Sequence, residues 1–390
     1  MKIKHIAAIA AAMVAGTAFA QSSVTLYGVL DTGVRFSNNA DGKGNNATYM
    51  TTGTLSNSRF GLKGIEDLGD GLKAGFQLES GFDLGNGGQN GAVSDRIFNR
   101  IAKVGLDSGY GSLYFGRQYS VLYNVIGMYE PTDYLNTAGN APPSNGDGSG
   151  RVIPTYGYTD GNRVDNNIYY SGTFGPVTAH LSYGLGGVPD NNSSGSHKAI
   201  GLTYSDGGLQ LGAAFNRTVS NANSITYKAG ANNLAEVKSI YADPNATTYN
   251  TDTVTVGGSY TWGPVKGMLG YARNKNPMYG STVLNDTNQY TYFGGLVYSV
   301  TPMLDLTAAY YRDKYNGNNK HADGKADTVV VVADYKLSKR TEVYASYDYT
   351  RTGAGDSLQQ LYMPSKLSAT PNLSDSNTRS GLSVGVRHRF

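Results

Sequence analysis

Apolar and polar residues alternate along most of this chain with a period of two. In a strand over residues 22–36, Val24, Leu26, Gly28, Leu30 and Val34 fall on one face, and Thr25, Tyr27, Asp31 and Arg35 on the other. The pattern is clearest over 58–82. There Phe60, Leu62 and Gly64 alternate with Arg59, Gly61 and Lys63, and beyond the turn DLGDG an oily set from Leu72 to Phe82 interleaves with Lys73, Gln77 and Glu79. Successive side chains of a strand point to opposite faces, so this stretch predicts an antiparallel hairpin with one greasy and one charged face. The alternation returns over 96–106, 112–119, 165–172, 177–185, 197–205, 209–216, 251–262, 265–275, 289–299, 304–314, 326–335, 341–350 and 379–390. A soluble sandwich can show such a face once or twice. Sixteen strands, with seven short turns and eight longer connections in alternation, predict a transmembrane antiparallel β-barrel, oily outside and wet inside.

The connections predict its orientation and its address. Short turns belong at the periplasmic end and long loops outside. The polar stretch 37–53 and the Gly/Asn-rich stretch 84–95 are expected loops, and 217–250 and 351–378 two long ones. The longest break, 120–162, opens with the apolar VLYNVIGMYEP, which is unlike simple disorder; a loop of that length is usually functional. Residues 1–20 carry a basic start, a short apolar run and Ala18-Phe19-Ala20, the pattern of a cleaved signal peptide. Residues 21–390 are expected to form a single barrel domain.

Composition sharpens the picture. The chain has 31 Tyr against one Trp, 52 Gly and no Cys. Tyr suits the membrane–water interface, and without disulfides a secreted chain must draw stability from elsewhere, such as a closed hydrogen-bonded sheet. Removing the two lysines of the first twenty residues leaves 30 basic against 29 acidic side chains. Net charge therefore names no partner, and the basic bias of a nucleic-acid binder is missing. None of the five His has a partner at metal or triad spacing, so neither an enzyme, nor a cofactor, nor a metal is expected.

Several segments, in order, resemble a known family. QSSVTLYGVLD, SRFGLKGIEDLGDGLKAGFQLESGF, FNRIAKVGL followed by GSLYFGRQ, and the ending GLSVGVRHRF are similar to the trimeric general-diffusion porins of Gram-negative bacteria, above all those of beta-proteobacteria and Neisseria. The resemblance implies a sixteen-stranded barrel in the outer membrane, a homotrimer, a third external loop folded into the lumen, and passive diffusion of ions and small hydrophilic solutes. It further implies that Phe390 is part of the signal read by the barrel-assembly machinery. On the last strand Leu382, Val384, Val386, His388 and Phe390 share the outward parity.

In such a channel, charge on the walls of a narrow aqueous passage decides which ions enter. Arg59 is opposite in parity to Phe60 and Leu62 and faces the lumen, with Lys63 one pleat along. By resemblance Arg59, Arg100 and Arg163 match constriction arginines; Arg117 is a further basic candidate. At Arg100 the phase is open: Ile97 and Ile101 facing lipid put Arg100 inside and Lys103 outside, and the opposite phase puts Lys103 inside. Glu130 and Asp133, in MYEPTDYL, are the expected acids of the inward loop. Bases in excess of acids predict a mild anion preference. Two alternatives remain. A substrate-specific channel for a sugar or organic acid would carry an inward aromatic track, for which Tyr114, Tyr311 and Tyr344 are candidates. A plugged adhesin-type barrel would not conduct.

Overall fold

The computed structural model describes residues 23–39, 45–89, 96–134, 163–221, 248–275, 278–279, 282–283, 288–316, 324–353 and 377–390. The expected signal peptide, the far part of the third loop, and much of 217–250 and 351–378 lie outside them.

One antiparallel sheet closes on itself. Its strands are β1 (Ser23–Ser37), β2 (Ala47–Thr52), β3 (Arg59–Gly69), β4 (Leu72–Gly81), β5 (Ile101–Ser108), β6 (Gly111–Tyr119), β7 (Arg163–Phe174), β8 (Val177–Gly184), β9 (His197–Asp206) and β10 (Leu209–Asn221). After these come β11 (Thr248–Trp262) and β12 (Val265–Lys275), then a two-stranded excursion, β13 (Met278–Tyr279) with β14 (Thr282–Val283). The wall resumes with β15 (Asn288–Thr301), β16 (Leu304–Asn316), β17 (Gly324–Lys336), β18 (Thr341–Gly353) and β19 (Thr378–Arg389). β2 and β3 both pair with β1, end to end, and together make one stave, so the wall has sixteen. Closure is the β1–β19 ladder, Val29 opposite Arg389 through Ser37 opposite Gly381, extended by Gly28 and Phe390 exchanging backbone hydrogen bonds at 3.1 Å.

The burial pattern is inside-out. Leu26, Phe60, Leu382, Val384 and Phe390 are exposed on the outer surface, while Asp31 and Arg35 are fully buried. Where β1 meets β18 and β19 inside the barrel, Arg35 pairs with Asp348 at 2.7 Å and donates to Ser383 at 3.1 Å. Two charges removed from water persist only when paired and hydrogen-bonded, and here the pair ties the two ends of the sheet together.

Many strand ends shift by one to three residues from the sequence reading, and four differences are larger or change the picture. β2 lies inside the expected loop 37–53, where its polar ATYMTT shows one oily outward residue, Met50. β5 begins at Ile101, because 96–100 enters the wall as irregular chain. β10 and β11 reach further towards the external end than the alternation did. The start of the long break is a short helix, α1 (Val121–Ile126).

α1 explains where the hydrophobic core sits. Ser120 caps it, accepting from the Tyr123 N–H, and Val121, Leu122, Val125 and Ile126 are all buried. They pack against the inner wall with Tyr129, and the wall is cut away to receive them. A Cβ on Gly201 would sit 2.6 Å from Val121, one on Gly212 2.9 Å from Val125, and one on Gly295 2.5 Å from Pro131. Gly212, Gly257 and Gly270 are direct neighbours across β10, β11 and β12, and the same rung continues into Phe293 and Tyr311. The glycines form a groove, and two rings close its end, Phe293 stacking on Tyr129 and Tyr311 on Phe293, with centroids 6.0 Å apart at each step. The Tyr129 hydroxyl meets Thr255 at 2.8 Å. The third loop therefore folds inward because the wall has a slot for it.

Gly257→Val puts two methyls where the Tyr129 ring lies, an overpacking that costs about 1–3 kcal/mol. The expected result is a loop that proteases cut in the folded protein while its strand circular dichroism is unchanged. A loop as resistant as in the wild type would contradict the slot.

Candidate functional site

Between the docked loop and the wall formed by β3 to β7 is a hollow of about 100 Å³. Leu55, Ser56, Asn57, Arg59, Arg100, Tyr119, Tyr123, Asp133, Tyr134 and Arg163 line it. Residues from four distant stretches of sequence meet there, and each is held by a definite contact.

Arg59 is positioned by the break between β2 and β3. The buried Asp31 carboxylate accepts from the Leu55 and Ser56 N–H groups at 2.8 and 2.7 Å and from the Tyr344 hydroxyl at 2.7 Å. Ser58 donates to the Asp31 carbonyl and accepts from its N–H. The chain is thus pinned as it crosses the lumen side, and Arg59 leaves it as the first residue of β3, donating to the Asn57 carbonyl at 3.1 Å.

Arg100 precedes β5 and is turned inward by irregular backbone. Its Nε donates to Glu79 at 2.6 Å and its Nη2 to the Tyr119 hydroxyl at 2.7 Å. Within β5, Val104 and Leu106 are exposed outward, which places Lys103 inside, 4.4 Å from the Tyr114 ring centroid. Arg100 and Lys103 therefore share the lumen. The two phases excluded each other only for an unbroken strand, and the strand starts between them.

Arg163 opens β7 with its guanidinium 4.7 Å over the Tyr119 ring and a hydrogen bond to the same hydroxyl at 3.2 Å. Tyr119 stacks on Tyr123 and Tyr123 on Tyr134, 4.3 Å between centroids at each step. A cation above a face-to-face stack is stabilised by the ring quadrupole, so the ladder fixes the guanidinium on the hollow's edge.

The two expected acids separate. Asp133 lines the hollow. Burial pushes its carboxyl above the usual range, against the pull of Arg387 and Arg59. Glu130 departs from the sequence reading: it is buried away from the passage. It accepts from the Thr132 N–H at 3.0 Å, the Tyr134 N–H at 2.6 Å, the Thr132 hydroxyl at 2.9 Å and the Tyr311 hydroxyl. Burial also pushes its carboxyl upward, opposed by those donors. Asp133 and Tyr134 have φ of 53° and 61°, a left-handed turn costly for residues with a side chain. Glu130 holds that turn, and the turn aims Asp133 at the arginines.

Lys63 and Arg117 lie apart from the hollow. Lys63 is exposed towards the short-turn end, 5.4 Å from the Tyr27 ring centroid, and Arg117 pairs with Asp165 at 2.5 Å. The expected aromatic track is dispersed: Tyr311 and Tyr344 are buried on Glu130 and Asp31, and Tyr114 donates to Asp107 at 2.7 Å. Sequence reasoning placed Glu79 only on the polar face, yet it is the acid between Arg100 and Arg59, whose Nε is 3.7 Å from it. Its inward parity on β4 was the available signal. Arg387 was missed as well. It pairs with Glu342 and donates to Ser56 at 2.8 Å, extending the basic line to the closing strand.

Residues 7–355 match the Gram-negative porin family. The chain is 30% identical to an outer membrane porin protein of Bordetella pertussis over the whole of both chains. It is 27% identical to outer membrane porin protein 32 of Delftia acidovorans, over 99% of each. An anion-selective porin from Comamonas acidovorans has the same fold, with a TM-score of 0.67 at 24% identity, covering 95% of this chain and all of the other.

Glu79→Gln leaves the buried Arg100 without its anionic partner. Breaking one side of a buried pair costs about 3–5 kcal/mol, so the urea midpoint of the barrel in detergent is expected to fall accordingly. A midpoint equal to the wild type's would show that Glu79 does not hold the arginine.

Proposed function

This chain belongs to the Gram-negative porin family, barrels of the bacterial outer membrane, and on that premise we propose that its lumen passes small hydrophilic solutes and ions with a mild preference for anions, selected at the Arg59–Arg100–Arg163 hollow. One observation carries the reading. Three guanidinium groups face a hollow in which Asp133 is the only lining acid among the described residues. Glu79 offsets part of the charge of Arg100 and Arg59 and is itself buried against the wall. An ion entering a narrow passage gives up part of its hydration, and fixed charges on the wall replace it for one sign only. The related anion-selective porin makes the same preference reasonable here.

The tyrosine ladder keeps Arg163 at the edge of the passage, and the Glu130 turn sets how far Asp133 reaches across. Lys63 and Lys103 add positive potential on the inner wall. The outer face of β1, β3, β4 and β19 is apolar, with Val24, Leu26, Phe60, Leu62, Val384 and Val386 exposed, and suits burial against neighbouring copies in a homotrimer. Phe390, backbone-paired with Gly28 at the closing seam, fits an assembly signal that is used once and then locked into the wall. The chemistry is that of a channel rather than a catalyst.

Reversal potentials in a planar bilayer under a salt gradient test the preference; clear cation selectivity would refute it. Arg59→Glu changes the wall by two charges, worth about 1 kcal/mol against an anion and as much in favour of a cation at roughly 8 Å in a water-like dielectric, or about thirtyfold in the permeability ratio. The expected result is a shift of that size towards cations with three equal closing steps per assembly retained. An unchanged reversal potential would place Arg59 outside the selective region.

A further inference from the structure

The segment that carries Arg59 is held from two strands. Residues 53–58 cross the lumen side between β2 and β3, and Leu55, Ser56, Asn57 and Arg59 all line the hollow. From β1, the Asp31 carboxylate accepts from the Leu55 and Ser56 N–H groups. That contact has a local purpose, since it satisfies backbone donors that the crossing buries. The second hold comes from β19. Arg387 lies opposite Asp31 across the closing seam, and its Nη1 donates to the Ser56 hydroxyl at 2.8 Å. Neither closure nor charge pairing requires this bond. The seam is closed by its backbone ladder. The guanidinium already has two carboxylates on the neighbouring strands, Glu342 at its Nε and Asp334 at 3.5 Å from its Nη2. Only Nη1 leaves that wall for the crossing segment.

The crossing is tight enough to transmit what happens at Ser56. Gly53 turns it with a φ of 74°, and a Cβ there would sit 2.7 Å from the Asn57 Cα. Ser58 is tied to the backbone of Asp31 by two hydrogen bonds. Asn57 therefore hangs between two fixed neighbours, and its carbonyl accepts from the Arg59 Nη1 at 3.1 Å. On its other side Arg59 meets a competitor. Glu79, buried in the wall, has a carboxylate oxygen 3.7 Å from the Arg59 Nε. A guanidinium released from Asn57 closes on Glu79 and withdraws from the hollow, because a shorter, charge-assisted contact is the stronger one.

We propose that Arg387 is a positioning residue for selectivity: through the Ser56 hydroxyl it fixes the crossing segment, and the Asn57 carbonyl then holds the Arg59 guanidinium out towards the passage. An arginine on the closing strand thus sets the reach of an arginine on the second stave. The selective wall is complete only when β19 is in place. This assignment rests on the reading of the hollow as the selective region.

The test changes no charge. Ser56→Ala removes the hydroxyl and leaves the Asp31 contacts in place. Reversal potentials of the full protein in a planar bilayer are expected to show the anion-to-cation permeability ratio lowered by about 1.4-fold, the effect of a guanidinium retreating from roughly 8 to roughly 10 Å in a water-like dielectric. Ser56→Thr keeps the hydroxyl and is expected to retain the wild-type ratio. Arg387→Lys keeps the charge but gathers its donors on one nitrogen, and is expected to shift the ratio as Ser56→Ala does. In an Arg59→Gln background Ser56→Ala is expected to have no further effect, because it acts through Arg59. A ratio unchanged in Ser56→Ala, a loss equally large in Ser56→Thr, or a full shift in the Arg59→Gln background would overturn the proposal and leave the selective hollow standing. A wild type without anion preference would overturn both.

Discussion

A bilayer interior offers no water to the backbone, so each N–H and C=O of a chain crossing it must find a partner within the protein. For strands that condition is met only when the sheet has no edge. The ladder between β1 and β19, with Gly28 and Phe390 bonded across the seam, satisfies it here. The other features are consequences. Once the sheet is a closed wall, every residue is assigned to lipid or to lumen by its parity, and the buried polar groups and exposed oily ones cease to be anomalies.

Closure also relocates the hydrophobic core. The outer apolar surface is solvated by lipid, and the close-packed cluster of Val121, Val125, Ile126, Tyr129, Phe293 and Tyr311 lies inside the barrel, between α1 and the wall. A loop entering a wet lumen needs a reason to stay. Glycines on β9, β10 and β11 (Gly201, Gly212 and Gly257) supply it, by letting the greasy helix and Tyr129 approach the backbone of the wall. Dispersion and burial then hold the loop at a fixed depth.

That fixed depth makes electrostatics selective. An arginine on a wide wall is screened by water and salt within a Debye length. Opposite a docked loop, the same arginine acts across a gap only a few water molecules wide. Glu79 and Glu130 illustrate the two uses of a buried acid in such a place. Glu79 orients guanidinium groups, and Glu130 holds a left-handed turn that presents another acid. Neither needs to touch a permeating ion to shape what the ion meets.

How much of this was legible in the sequence follows from which interactions are local. Alternation is local, so strand identity, the sixteen staves, the outward set on β19 and the inward parity of Arg59 could be read along the chain. β2 escaped because a short polar strand shows little oil to alternate. Arg100 and Lys103 resisted assignment because parity fails where a strand starts, and only the irregular entry to β5 resolves it. Glu130 and Asp133 share the segment MYEPTDYL, where the family resemblance puts the acids of the inward loop, and only the left-handed turn at Asp133 and Tyr134 separates an anchor from a lining group. The sequence determined the wall, since a period of two needs no distant partner to be recognised. The tertiary structure decided the hollow: its lining comes from the break before β3 and the start of β3, the irregular entry to β5, the end of β6, the start of β7 and the inward loop, and no local pattern records which stretches closure brings face to face.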